Sequence, residues 1–266
     1  MTHFYSQNNP YKHDHMVEGV VFDLDYTLYP PSQSLAECKI ESAVVVAKSL
    51  SLGVSDDRLR DMVYESREKY RGSLTIFAEE HGADIKQLWI KHFDEMIKQT
   101  RENGFFNAAG ELQTGLSKLR LNNVRGAIGT HSHHNWADHV LNELDMSDMF
   151  PTAYRVTKRQ VGNIGKNQGP AMCDACLDAL GALKTEDPAS RGARYAVVED
   201  TMENLKSFKE RGLMTIFIRR ESSHLLDDDI ADYVDVVVEE SDMAIEAILD
   251  SNMQHSGVRH DLSADF

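Results

Sequence analysis

The chain has 266 residues, 41% of them hydrophobic and 27% charged, enough apolar material for one large domain or a core with a smaller module. A formal net charge of −15 argues against non-specific binding to nucleic acid or anionic lipid, and three cysteines cannot make a disulfide framework, so a reducing cytoplasm is the expected compartment. No stretch approaches the roughly 20 consecutive apolar residues of a membrane helix, and the polar N-terminus MTHFYSQNNPYKHDH has no apolar h-region of a signal peptide.

Residues 1–15 carry no apolar period and read as a flexible tail. The run VEGVVFD at 17–23 predicts a short strand buried on both faces. From 34 to 101 the pattern turns to amphipathic helices. Leu35, Ile40, Val44, Val45 and Ala47 mark one, Leu59, Met62, Val63 and Tyr70 a second, and Ile85, Leu88, Trp89, Phe93, Met96 and Ile97 the clearest apolar face. Helix and strand then alternate. Leu112, Leu116 and Leu119 mark a helix, VRGAIGT at 124–130 a strand, 136–144 a helix and 154–156 a short strand. A helix opens near Pro170, ARYAVVE at 193–199 is a strand, 203–210 a helix, 214–218 a strand, and 233–238 a last strand before a final helix through Leu249.

Strands separated by helices predict an α/β fold with a doubly wound, Rossmann-like parallel sheet. The helical block is then an insertion after the first strand, folded as an all-helical cap. The expected organisation is a tail at 1–15, a core of 16–33 plus 108–250, a cap at 34–107 and a C-terminal tail at 251–266.

Open parallel sheets bind ligands outside the carboxyl ends of their strands. Four such ends or following loops here offer an acid, a hydroxyl, an ammonium and an acid: Asp23 with Asp25, Thr130, Lys166, and Glu199 with Asp200. Asp23 and Asp25 lie two apart, so an extended chain points both to one side. Two such charges ~4 Å apart repel by about 4 kcal/mol at an effective dielectric of ~20. Their convergence with Asp200 therefore calls for a proton, a cationic side chain or a divalent cation, and an all-oxygen site suits Mg²⁺.

VVFDLDYTLYP resembles the first signature of the haloacid-dehalogenase-like hydrolase superfamily, an apolar strand followed by Asp-x-Asp-x-Thr. Thr130 resembles the second, and Lys166, shortly before a helix, the third. YAVVEDTMENLKSFKERGLMTIFI resembles the fourth, with Asn204 four positions after the acidic pair and Gly212 after the helix. Thr27-Leu28-Tyr29-Pro30 and the stretch YRGSLTIFAEEHGAD are similar to the pyrimidine 5′-nucleotidase-like branch. The resemblance implies a Mg²⁺-dependent phosphatase. Asp23 would be the nucleophile that forms an aspartyl-phosphate, and Asp25 the general acid and base. Asp23, the backbone carbonyl of Asp25, and Asp200 would hold the cation. Thr130 and Lys166 would bind phosphoryl oxygens, Glu199 would act through a metal-bound water or by orienting Lys166, and the cap would close over the site. A small phosphorylated metabolite is the implied partner, a nucleoside monophosphate first among the candidates, with neither nucleic acid nor membrane.

The chain departs from that pattern at His131, where Asn is common, and at Asn167, where Pro is common. Lys158 is a rival for the third signature. The cluster His131, His133, His134 and His139 has the look of a zinc site but no accompanying cysteine or carboxylate set, and reads as solvated or supporting side chains. Cys173 and Cys176 fall inside a helix without a second pair and read as packing. The stripe Leu88, Trp89, Phe93 and Met96 reads as cap core rather than a nucleobase platform. A phosphomutase of the same fold, or a non-catalytic binding protein on the same scaffold, are the competing functions.

Overall fold

The computed structural model describes residues 15–70, 72–106, 110–162, 164–185, 187–220 and 225–256. Of the two expected tails, residues 1–14 and 257–266 lie outside the described residues, as does the expected cap boundary at 107. The described residues form two compact units, one drawn from 15–29, 110–132 and 145–256, the other from 30–106 and 133–144. Among them no helix is long and apolar enough to cross a membrane.

The first unit is built on a parallel sheet of β1 (Gly19–Phe22), β2 (Arg125–Gly129), β3 (Arg155–Val156), β4 (Tyr195–Glu199), β5 (Met214–Ile218) and β6 (Val236–Val238), in the order β3-β2-β1-β4-β5-β6. The chain winds outward from β1 to β3, returns to lay β4 on the other side of β1, and winds outward again to β6. The crossover between β1 and β4 is the switch point where such sheets bind their ligands. Phe22, the last residue of β1, stands opposite both Ile128 and Val198, so β2 and β4 each run one residue past it.

Strand alternation sorts side chains onto two faces. Val21, Ala127, Val197, Phe217 and Val237 share one face and pack with Cys176 and Leu177 of α8 (Ala171–Leu180) and with Leu205 and Phe208 of α9 (Met202–Lys209). The other face is covered by α5 (Gly110–Leu121) and α10 (Ser241–Ser256). Helix α8 lies close on β2, because a Cβ at Gly129 would come within 2.8 Å of the Cys176 sulfur. Cys173 and Cys176 are buried free thiols with this packing role. Gly212 has φ +81°, and a Cβ there would lie 1.9 Å from the Ala189 carbonyl oxygen, so only glycine fits the turn from α9 into β5.

Two boundaries differ from the sequence expectation. Pairing at the sheet's far edge covers only Val236–Val238, because the Asp235 carboxylate takes hydrogen bonds from the backbone N–H (2.9 Å) and hydroxyl (3.0 Å) of Thr215. Helix α10 runs on to Ser256 instead of fraying at 251. The reason is Asn252, whose Oδ1 accepts from the N–H of Val17 (2.7 Å) and whose Nδ2 donates to its carbonyl (2.9 Å), pinning the chain that enters β1.

The second unit contains α1 (Gln33–Lys48), α2 (Asp56–Tyr70), α3 (Thr75–His81), α4 (Ile85–Asn103) and α6 (His134–Glu143). Its core gathers Ile40, Val44, Val63, Leu74, Phe77 and Leu88. Helix α6, which falls in the stretch assigned to the core by sequence, packs here. Its Trp136 ring meets those of Phe93 (6.4 Å) and Phe106 (5.9 Å), and His139 hydrogen-bonds the buried Thr100 hydroxyl at 2.7 Å. Leu88, Phe93 and Met96 are buried, and Trp89 is half-buried.

Asn252→Ala would strand both polar groups of Val17, at a cost of about 1–3 kcal/mol. At roughly 2–4 °C per kcal/mol for a chain of this size, the expected fall in Tm is several degrees by thermal melting, and an unchanged Tm would refute the clamp.

Candidate active site

Asp23 follows β1 directly, and its N–H still donates to the Val198 carbonyl (2.9 Å) in sheet register. Its side chain therefore continues the Val21 face. Glu199 ends β4 on the same face as Val197, and Asp200 follows at the strand's mouth. The 3₁₀ turn Lys166–Gln168, just ahead of α8, brings Lys166 onto this face, 2% exposed. Its ammonium donates to Asp23 Oδ1 and to Glu199 Oε2, the latter at 2.8 Å. From α9, Asn204 Nδ2 donates to the second oxygen of Glu199 at 2.6 Å. The structure thus brings Asp23, Lys166, Glu199 and Asp200 together. Lys158 starts α7 (Lys158–Val161) and is not among the pocket-lining residues.

Charge in this cluster is out of balance. Burial and the nearby Glu199 raise the Asp23 carboxyl from an ordinary 3.8 to about 7, against the opposing pull of Lys166. Burial and Asp23 raise Asp200 to about 7 as well. Burial also lifts Glu199, with Lys166 opposing. Burial would lower Lys166, but Asp23 and Glu199 outweigh it and hold the ammonium above its usual range. One lysine faces three carboxylates, and one oxygen from each of Asp23, Glu199 and Asp200 lies within 4.8 Å of the others. An all-oxygen set with surplus negative charge fits a hard divalent cation such as Mg²⁺. The Asp25 carboxylate stands outside that set. Its Oδ1 accepts from the Tyr29 hydroxyl, and its Oδ2 from Ser132 Oγ at 2.5 Å.

The pocket in front of these groups holds about 200 Å³ and is lined by Asp23, Asp25, Thr130, Lys166 and Asp200, and further by Tyr26, His131 and Ser132. Thr130 is buried past the end of β2. Its N–H donates to the Val156 carbonyl (2.9 Å), and its hydroxyl accepts from the N–H of Ser132 (3.1 Å). The turn after Asp25 carries Tyr26 at φ +64°, rare for a bulky side chain. That turn is tied down by Arg220, which donates to the Tyr26 carbonyl (2.7 Å), and by Ser241, which donates to the carbonyl of Thr27.

The histidines separate into different roles. His131 lines the pocket, its Nε2 is 3.0 Å from the Ile164 carbonyl, and burial and Lys166 push it down to about 4, so the ring is neutral near pH 7. His133 caps α6 through its Nδ1, and His139 is buried against Thr100. Among the described residues no cation-binding group includes a histidine.

Sequence reasoning named every acid and cation of the cluster but missed Tyr29 and Ser132 as partners of Asp25. Tyr29 had a signal in hindsight. It lies four residues after Asp25, and the hydrogen bond from Leu28 N–H to the Leu24 carbonyl (3.1 Å) closes the turn that brings them together. Ser132 is 107 residues away from Asp25, and no local pattern marks it.

No family model matches the sequence, and no curated protein does. Solved structures do. Beta-phosphoglucomutase from Clostridium difficile aligns with 91% of this chain and 100% of its own at 13% identity and TM-score 0.59. CbbY from Rhodobacter sphaeroides in complex with phosphate aligns with 85% of this chain and 96% of its own at 15% identity and TM-score 0.61. A HAD phosphatase from Thermococcus onnurineus aligns with 87% of this chain and 98% of its own at 14% identity and TM-score 0.59. At these identities the likeness is one of fold, shared with the beta-phosphoglucomutase, CbbY and the HAD phosphatase.

A pH signature follows from the crowded acids. Asp23 and Asp200 bind their protons more tightly folded than unfolded, so their contribution to stability is full below about pH 4 and is lost as pH rises through about 7. In metal-free buffer, Asp200→Asn is expected to flatten the decline in Tm between about pH 5 and about pH 8. A decline as steep as in the unaltered chain would mean that the two carboxyls do not repel.

Proposed function

We propose that the chain is a Mg²⁺-dependent phosphatase that hydrolyses a small phosphate monoester through an aspartyl-phosphate on Asp23. One observation carries the reading: a carboxylate at the switch point, paired to a buried lysine, faces the same pocket as Asp25, Thr130 and Asp200. In the first step a carboxylate oxygen of Asp23 attacks phosphorus, the bond to the ester oxygen breaks, and Asp25 gives that oxygen its proton. In the second, Asp25 takes a proton from water, the water oxygen attacks phosphorus, and Asp23 leaves as the carboxylate, releasing phosphate. Lys166 and Thr130 offer donors for the phosphoryl oxygens, while Glu199, fixed by Asn204, holds Lys166 in line. Asp23, Asp200 and the backbone carbonyl of Asp25 would hold the cation, with Glu199 near enough to serve through a water. A bound Mg²⁺ supplies charge neutralisation on the transferring phosphoryl group.

Nucleoside monophosphates are the preferred substrates on the strength of the Thr27–Pro30 likeness to the pyrimidine 5′-nucleotidase-like branch, ahead of sugar phosphates. The second reading is a phosphomutase, favoured by the beta-phosphoglucomutase among the structural neighbours. Such an enzyme returns the phosphoryl group to a sugar phosphate instead of to water.

Turnover of p-nitrophenyl phosphate is expected with Mg²⁺, abolished by EDTA and restored by added Mg²⁺. In Asp23→Asn it should fall by ~10³-fold or more, with Tm retained. A folded protein that turns over none of a broad panel of phosphate monoesters would refute the reading in favour of a binding protein. Phosphoryl transfer to a sugar phosphate that outpaces release of inorganic phosphate would favour the mutase. Within the panel, nucleoside monophosphates should give the highest kcat/KM, and a preference for sugar phosphates would overturn that substrate assignment.

A further inference from the structure

We propose that Tyr29 and Ser132 are positioning residues that hold Asp25 in place as proton donor to the leaving group. The inference rests on the phosphatase reading above. It starts from the fact that both oxygens of the Asp25 carboxylate are engaged by hydroxyl groups, and that these come from different parts of the chain. An aspartate side chain turns about two bonds. One hydroxyl fixes where the carboxylate lies, and a second on the other oxygen fixes how its plane is turned.

Each hydroxyl is itself held. Tyr29 is 5% exposed and sits at the end of the turn closed by the Leu28-to-Leu24 hydrogen bond (3.1 Å). Arg220 holds the Tyr26 carbonyl in the same turn, and the Tyr26 and Tyr29 rings meet edge to face at 6.0 Å. Ser132 is oriented by its own N–H, which donates to Thr130 Oγ1. The donor to Asp25 is thus linked to the hydroxyl offered to the phosphoryl oxygens. Asp25 lines the pocket but stands outside the group formed by the Asp23, Glu199 and Asp200 oxygens, where a fourth carboxylate would add to the repulsion.

The same two contacts serve both protonation states. Serine and tyrosine hydroxyls can donate or accept. When Asp25 carries a proton on one oxygen, the hydroxyl on the other oxygen keeps donating, and the hydroxyl beside the proton turns to accept until the proton leaves. In the transfer the O–H bond of Asp25 breaks, an O–H bond forms on the ester oxygen, and the bond from phosphorus to that oxygen breaks. Correct aim matters most when the leaving oxygen is basic, because an acidic phenol departs without a proton.

The test uses the full chain with Mg²⁺ and a series of ring-substituted phenyl phosphates of similar shape, from p-nitrophenyl to p-methoxyphenyl. Tyr29→Phe and Ser132→Ala are expected to lower kcat/KM by ~10-fold or more on p-methoxyphenyl phosphate and by no more than ~3-fold on p-nitrophenyl phosphate. Ser132→Thr, which keeps the hydroxyl, should restore the shallow dependence on the leaving group. Equal losses along the series, or no loss in either variant, would overturn the inference and leave the two hydroxyls a structural role. If the unaltered protein hydrolyses no member of the series, it is the phosphatase reading that fails.

Discussion

A buried lysine facing too many carboxylates is the constraint around which the first unit is arranged. Lys166 is enclosed and paired with two acids while a third stands beside them, which the protein interior tolerates only if every charge has a partner in good geometry. Much of the fold supplies that geometry. The reversal of strand order at β1 and β4 brings Asp23 and Glu199 to adjacent strand ends. Gly129 lets α8 lie close enough to deliver the turn that carries the lysine. Asn204 occupies the oxygen of Glu199 that the lysine leaves, so that carboxylate is held on both sides. A surplus of negative charge remains at the mouth of the sheet, where one oxygen from each of Asp23, Glu199 and Asp200 lies within 4.8 Å of the others.

Most of this was legible in the sequence because it is local. An apolar run ending in Asp-x-Asp-x-Thr states both a buried strand and where it stops, and the same holds for YAVVED before a helix. The alternation of helix and strand gave the parallel sheet. The sequence left Lys158 as a rival to Lys166, because a helical pattern can follow either; α7 begins at Lys158 itself and α8 follows Lys166. The illegible parts are pairings between distant segments. Ser132 reaches Asp25, and Asn252 reaches Val17 across 235 residues, through side-chain directions that no periodicity encodes. Helix α6 misled for a related reason: its amphipathic pattern announces an apolar face but not which surface that face will meet.

The histidine-rich stretch after Thr130 shows how the same residue type takes unrelated work within a few positions. His131 is a neutral ring tied to the loop that precedes Lys166, His133 is a helix cap, and His139 a buried hydrogen-bond partner. Each of these three rings has a hydrogen-bond partner of its own. The His131 ring ties that loop by its Nε2 contact to the Ile164 carbonyl, 3.0 Å away.

Arg220 joins the two ends of the first unit's logic. It grips the Tyr26 carbonyl with one nitrogen and, with the other, the Glu239 carbonyl (3.3 Å) and the Glu240 carboxylate (2.6 Å), just past β6. The left-handed residue beside the acid pair is thereby anchored to the last strand to be made. A nascent or C-terminally shortened chain that ends before β6 would lack the Glu239 and Glu240 end of this anchor.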